Sequence, residues 1–65
     1  MRFNKVKAKT ALLVTGKTQR EIAESLELSR RWVNAALNGE KNISEKVARR
    51  IAAALGVSVD DLKED

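Results

Sequence analysis

The sequence of 65 residues contains no cysteine, histidine, proline or tyrosine, and its only aromatic residues are Phe3 and Trp32. Without cysteine there is no disulfide, and without cysteine and histidine there is no thiolate or imidazole to ligate a metal. The commonest general base and the best nucleophile of enzymes are missing too, so we expect no enzyme, no cofactor and no small-molecule ligand. No apolar run approaches the roughly 20 residues that a membrane span requires, and no signal peptide is apparent. We therefore expect a cytoplasmic protein without a membrane partner.

The composition is typical of one small globular domain. Hydrophobic residues make up 43% and charged residues 34% of the chain, a balance found in folded proteins. A chain of this size is expected to form a single domain over residues 1–65. The net charge of +4 is unevenly spread, because residues 1–20 carry six Lys and Arg and no acid. This favours a polyanionic partner, although a lysine-rich face kept for solubility explains the charge equally well.

Hydrophobic residues recur at helical spacing, and helix start and stop signals predict an all-α, compact five-helix fold without strands. The predicted helices span residues 5–15, 19–25, 30–38, 45–55 and 59–63. A polar residue that can cap a helix precedes each of them: Asn4, Thr18, Ser29, Ser44 and Ser58. The inward stripe of the first helix is predicted to consist of Phe3, Val6, Thr10 and Leu13, with Leu12 beside it. Residues 1–4 are predicted to form a basic arm and residues 63–65 a frayed acidic tail.

The most informative segment runs from Gln19 to Gly39, where a short turn joins two short helices. On a helical wheel of the second of these helices, one arc is apolar and predicted to be buried: Val33, Ala36 and Leu37. A separate arc is polar, free of acids and predicted to be exposed: Arg30, Arg31, Asn34, Ala35 and Asn38. In the major groove of DNA, Arg pairs with guanine, Asn with adenine, and Ala contacts the thymine methyl group. Trp32 is expected to pack at the edge of the buried arc, not to stack on a base.

This stretch resembles the helix-turn-helix of the phage repressor and Cro family, which is also widespread among bacterial regulators. Gln19 matches the family's first position, and Ala23 matches its small fifth residue. Leu28-Ser29 matches the entry to the second helix, Val33 its buried β-branched residue, and Asn38-Gly39 its end. The downstream segment VARRIAAALGVSVDDL resembles the family's fourth helix and its Leu-Gly-Val-Ser ending. The likeness covers residues 5–62.

The resemblance implies a sequence-specific regulator that binds double-stranded DNA. It assigns base reading to Arg30, Arg31, Asn34 and Ala35. It assigns phosphate contacts to a second set: Gln19, Ser29, Asn38, Lys41, Asn42, Arg2 and Lys5. The simplest form is a small Cro-like repressor, encoded by a bacterium or a phage and associated with the nucleoid. Because one recognition helix reads few base pairs, a homodimer on a palindromic operator is expected.

Two further expectations concern the dimer and the turn. The candidate dimer surface is the segment over residues 57–65, where Val57, Val59 or Leu62 would leave an apolar edge. The alternative is that all three close the core, and it is favoured for Val57 and Leu62. Glu27 departs from the family pattern, because the family usually has glycine at this position of the turn. That position often needs a positive φ, which costs a non-glycine residue roughly 1 kcal/mol or more.

A second class of function remains open, namely a protein-interaction module such as an antitoxin or antirepressor whose main partner is a protein. Its sign would be an extra apolar or acidic segment, and only residues 60–65, with four acids and one Lys, offer one. An RNA-binding role fits the charge but lacks stacking aromatics.

Overall fold

The computed structural model of the chain describes residues 1–64. Four α-helices follow one another, α1 Lys5–Thr15, α2 Gln19–Leu26, α3 Arg30–Leu37 and α4 Glu45–Leu55, before a single 3-10 turn at Val59–Asp61. The all-α class is confirmed, but the count of five helices is wrong. Within residues 1–64, no helix is long and apolar enough to cross a membrane.

The predicted fifth helix shortens to one 3-10 turn because the chain after it becomes extended. The backbone N–H of Asn4 donates to the carbonyl oxygen of Leu62 (2.6 Å), and that of Glu64 donates to Arg2 (3.2 Å). Phe3 and Lys63 form an antiparallel bridge between the two segments. These partners replace the hydrogen bonds that a longer helix would have made. Residues 63–64 are therefore paired and not frayed, while Asp65 lies outside the described residues.

The N-terminal segment, residues 1–4, is bound along the helical bundle and does not extend away from it as an arm. Besides its pairing with residues 62–64, it accepts a hydrogen bond at the carbonyl of Met1 from the N–H of Ile43 (2.7 Å). The side chain of Phe3 is completely buried. The N-terminal segment thus joins the loop before α4 to the end of the chain.

The predicted capping residues begin all four α-helices. The side-chain oxygens of Asn4, Thr18, Ser29 and Ser44 each accept a hydrogen bond from the backbone N–H three residues later, at 2.9–3.2 Å. The carboxylate of Glu21 accepts in return from the N–H of Thr18 (3.0 Å), which completes the capping box. Ser58 precedes the 3-10 turn, and its hydroxyl donates to the carboxylate of Asp61 (3.0 Å).

Three helices end in the same Schellman motif, and only one of them lacks glycine. At the ends of α2, α3 and α4, a backbone N–H donates to the carbonyl five residues earlier, each at 3.0 Å: Leu28 to Ala23, Glu40 to Ala35, and Val57 to Ala52. The left-handed residue of the motif is Gly39 after α3 (φ +75°) and Gly56 after α4 (φ +75°), but it is Glu27 after α2 (φ +57°). The positive φ expected at Glu27 is confirmed.

We expect that Glu27→Gly leaves the Tm unchanged or raises it. Glycine avoids the cost of roughly 1–2 kcal/mol that a side chain pays in the left-handed region. Its greater freedom in the unfolded chain offsets about 0.4–1 kcal/mol of that gain. Thermal melting followed by circular dichroism measures the result, with Glu27→Gln as the control that removes the charge but keeps the Cβ atom. A clear fall in Tm for the glycine variant alone would contradict this assignment of the turn.

The core lies where α2 and α3 pack against α4. Its largest fully buried side chains are Phe3, Ile22, Val33, Leu37, Ile51 and Leu62. The predicted stripe of α1 is wrong except for Phe3, which precedes the helix. Val6 is 71% and Leu13 82% exposed, and α1 instead buries Ala8 and Ala11. The two alanines bring the α1 backbone close to the bundle, a position that larger side chains would block.

Candidate nucleic-acid interface

The packing of α2 against α3 determines which face of α3 is exposed. Ile22, Ala23 and Leu26 of α2 are buried, and the three residues after Leu26 connect the helices. On α3 the buried residues are the predicted ones, Val33, Ala36 and Leu37. Trp32 is half-buried and packs against the core, as predicted. The opposite face of α3 is therefore directed away from the core.

That outer face carries the side chains predicted to contact bases. Arg30, Arg31 and Asn34 are exposed, and Ala35 is half-buried. The first three line a shallow surface depression together with Gln19, the first residue of α2. Residues from two helices thus meet in one concave surface that contains two cations, two amides and no acid.

The two arginines of this depression are not neutralised within the chain. Over residues 1–64, neither Arg30 nor Arg31 takes part in an ion pair. Other exposed arginines are paired: Arg20 lies 3.0 Å from Glu24, and Arg49 lies 2.7 Å from Glu45. The guanidinium groups of α3 therefore keep their charge and donors for an external partner.

The other predicted phosphate contacts lie around α3 but do not line the depression. Ser29 caps α3, and its hydroxyl accepts from the N–H of Trp32 (3.0 Å). Asn38 follows the last residue of α3, and its Oδ1 atom is buried without a hydrogen-bond partner among the described residues. Lys41 is half-buried and Asn42 exposed, both in the loop before α4. Asn42 Oδ1 accepts from the amino group of Met1 (2.5 Å).

Arg2 and Lys5 are exposed at the N-terminal end of α1. They lie beside the bound N-terminal segment and do not line the depression. Their assignment to phosphate therefore has less geometric support than that of Gln19.

The sequence did not predict that Arg50 supports the site. The guanidinium of Arg50, on α4, donates to the carbonyl oxygen of Leu26 (3.3 Å), the last residue of α2. This bond joins α4 to the point where the turn begins. The two residues are 24 positions apart, so no local spacing could have indicated the contact.

The sequence of the chain matches the model of one protein family. A family model described as helix-turn-helix matches residues 15–62, which is more than half of the chain. The match includes α2, the turn, α3 and α4, but only the last residue of α1. No curated protein and no solved structure matches the chain significantly. The family model covers α2, α3 and α4, and the structure places α3 with its polar face outward. The chain therefore belongs to the Cro/C1-type helix-turn-helix family of DNA-binding proteins.

Proposed function

We propose that the protein is a sequence-specific transcriptional regulator that inserts α3 into the major groove of double-stranded DNA. The observation that carries the proposal is the exposed, acid-free face of Arg30, Arg31 and Asn34, whose arginines have no ion pair with any of residues 1–64. The major groove is about 12 Å wide and admits an α-helix. The buried opposite face of α3 supplies the rigid support that such insertion requires.

Each side chain of the face has a distinct role in this proposal. Arg30 and Arg31 donate bidentately to the O6 and N7 atoms of guanine, and Asn34 pairs with N6 and N7 of adenine. Ala35 is half-buried and carries only a methyl group, so its contact is with a thymine methyl. These contacts give the preference for one sequence, since base edges differ between sequences and phosphates do not.

Phosphate contacts orient α3 in the groove. Gln19 opens α2, where unpaired backbone N–H groups and the positive end of the helix dipole favour an anion. The other residues proposed to contact phosphates are Ser29, Asn38, Lys41, Asn42, Arg2 and Lys5. Glu27→Gly keeps the shape of the turn between α2 and α3, so its affinity for duplex DNA is expected to equal that of the unsubstituted chain.

We expect that Lys41→Ala weakens binding to all duplexes about equally. A lysine that contacts a phosphate releases a counterion, so its loss reduces the salt slope of log K by about 1 without changing the preference for sequence. Binding titrations at several salt concentrations measure this slope. Arg20→Ala is the control, because Arg20 is paired with Glu24 (3.0 Å) and is assigned neither a DNA contact nor a place on the proposed dimer surface. A loss limited to one duplex sequence would instead make Lys41 a base-reading residue.

A homodimer on a palindromic operator follows from the size of α3. Eight residues of helix extend over roughly 12 Å at 1.5 Å per residue, which is enough for only a few base pairs. Two copies bound at half-sites about one helical turn apart double that length. The protein then acts as a small Cro-like repressor by occupying its operator, in the cytoplasm and on the nucleoid of a bacterial cell.

The proposed dimer surface is polar and lies beside the 3-10 turn. The apolar edge expected over residues 57–65 is not what the fold offers, because Leu62 is fully buried and Val57 and Val59 are half-buried against the core. A groove on this side is instead lined by both acids and bases, including Glu45, Arg49, Asp60 and Lys63. Within one copy Glu45 pairs with Arg49 and Asp60 with Lys63, and two-fold pairing would extend these ion pairs into a network across both copies.

The alternative function, a module whose main partner is a protein bound through the acidic tail, has less support. Asp60 forms an ion pair with Lys63 (3.0 Å), and Asp61 accepts hydrogen bonds from Ser58. These two acids therefore have partners within the chain.

Selection of bound sequences from random duplexes tests the proposed function. A base-reading dimer is expected to enrich one palindromic sequence, with half-sites about one helical turn apart. Enrichment of a single asymmetric half-site would exclude the dimer but keep the base-reading role. Recovery of random sequence would exclude sequence-specific regulation.

A further inference from the structure

The large apolar side chains that residues 1–64 expose all lie on α1. Val6 is 71%, Leu13 82% and Val14 80% exposed. Thr10 is exposed between them. The spacing of these four residues, at i, i+4, i+7 and i+8, places them on one face of the helix. We call this face the outer stripe of α1.

Every charged residue of α1 itself is a cation, and one of them, Lys7, has partners in the chain, among them the carbonyl oxygen of Lys63 (3.4 Å). Residues 1–20 contain no acid. On a helical wheel, Lys5 and Lys9 follow one edge of the stripe and Lys7 the other. Lys5 is exposed and Lys9 is half-buried. The outer stripe is therefore an apolar surface with a positive edge formed by Lys5 and Lys9.

Neither the fold nor DNA binding accounts for the outer stripe. The helix α1 packs on the bundle through Ala8 and Ala11, which lie on its opposite side. None of the stripe residues lines the depression beside α3, and the match to the helix-turn-helix family begins at Thr15, after the stripe. A phosphate backbone attracts the lysines but gains nothing from exposed valine and leucine side chains.

We propose that the outer stripe of α1 docks an acidic amphipathic helix of a partner protein. The apolar side chains of that helix cover Val6, Leu13 and Val14, and its carboxylates pair with Lys5 and Lys9. Charge complementarity carries the choice of partner, since an apolar face with a positive edge fits an apolar face with a negative one. The proposal is independent of which DNA sequence, if any, the α3 face reads.

The same charges argue against a second copy as the occupant. Pairing two α1 helices in parallel through their outer stripes brings the lysines of one copy, all in the first half of the helix, against those of the other, and like charges disfavour association. The area is also small, because the stripe occupies one side of an 11-residue helix, whereas a stable dimer buries about 800 Å² per partner. A lipid surface fits less well, because helices that lie in membranes carry larger apolar faces, often with Trp or Phe.

A pair of synthetic helical peptides tests the proposal on the full chain. Both carry the same leucine stripe, flanked by glutamates in the probe and by lysines in the control. We expect the glutamate peptide to bind at least about tenfold more tightly than the lysine peptide. In ¹H–¹⁵N NMR spectra it should shift the resonances of Val6, Leu13 and Val14. The charge-reversed variant Lys5→Glu/Lys9→Glu is expected to prefer the lysine peptide.

A second variant separates the apolar contact from the charge. Leu13→Gln/Val14→Gln changes two side chains that project into solvent, so the fold and the binding of random duplexes are expected to be retained. Its affinity for the glutamate peptide should fall at least about tenfold. Three results would overturn the proposal: equal binding of both peptides, shifts confined to the α3 face, or a concentration-dependent dimer that this variant abolishes. Binding of the stripe to phosphatidylglycerol vesicles with no binding of the glutamate peptide would also overturn it, in favour of a membrane.

Discussion

Arg31→Ala is expected to lower the affinity for the selected operator by about 1–3 kcal/mol, which is roughly 5- to 150-fold, and to relax the preference at one base pair. The guanidinium of Arg31 is exposed on α3, has no ion pair among the described residues and borders the depression with Gln19. The alanine side chain cannot donate the two hydrogen bonds that the guanidinium would make to guanine. Competition titrations against duplexes that differ at single positions measure the effect.

Arg31→Lys is the matched control, because lysine keeps the positive charge but cannot form the two parallel hydrogen bonds of a guanidinium. We expect this variant to bind random duplexes like the unsubstituted chain while losing much of the preference at the same base pair. Stability should be unaffected in both variants, since the residue is exposed and alanine and lysine are good helix formers. If Arg31→Ala weakened operator and random duplexes by the same factor, Arg31 would be a phosphate contact.

Gly39→Ala is expected to destabilise the fold more than any exposed substitution discussed above. Gly39 ends α3 with φ +75°, and a methyl group at its Cα would lie 2.6 Å from the carbonyl oxygen of Phe3. The left-handed conformation costs alanine roughly 1–2 kcal/mol. The contact forces a backbone shift that costs typically about 1–3 kcal/mol more. The smaller freedom of alanine in the unfolded chain offsets about 0.4–1 kcal/mol, so about 1–4.6 kcal/mol remains and the Tm should fall by roughly 5–35 °C in a domain of this size.

Gly16→Ala separates the two causes. Gly16 has nearly the same φ of +76°, but a methyl group there would meet no atom within 4 Å. Only the conformational cost applies, and the smaller freedom of alanine in the unfolded chain offsets about 0.4–1 kcal/mol of it. The Tm of Gly16→Ala should therefore fall by only a few degrees. Equal losses of Tm in both variants would show that the carbonyl oxygen of Phe3 adds no cost to a methyl group at position 39.

The helix boundaries were predictable because they depend on local hydrogen bonds. A serine, threonine or asparagine caps a helix through an N–H three residues away, and a glycine ends it by taking a positive φ. The same locality explains the α3 face, since Val33, Ala36 and Leu37 lie together on one arc of the wheel. Glu27 shows that tertiary context can hold a non-glycine residue in the left-handed region, as the family pattern implied.

The features that the sequence did not predict depend on contacts between distant segments. The helix α1 has two apolar faces, one of Val6 and Leu13 and one of Ala8 and Ala11, and hydropathy favours the larger side chains. The space available beside the bundle admits only the alanines, which a sequence pattern cannot reveal. The pairing of residues 1–4 with Ile43 and residues 62–64 likewise joins the two ends of the chain. It binds the predicted arm as an extended segment and shortens the predicted fifth helix to one 3-10 turn.

NMR titration of the chain with its selected duplex tests the central claim, that the face of Arg30, Arg31 and Asn34 enters the major groove. The guanidinium Nε–H and amide Nδ2–H₂ signals of these three residues should shift on binding and show contacts to base protons. The corresponding signal of Arg20, which is paired with Glu24 and is assigned no contact, should remain unchanged. If the duplex bound while the three side-chain signals stayed at their free positions, α3 would not be the recognition helix.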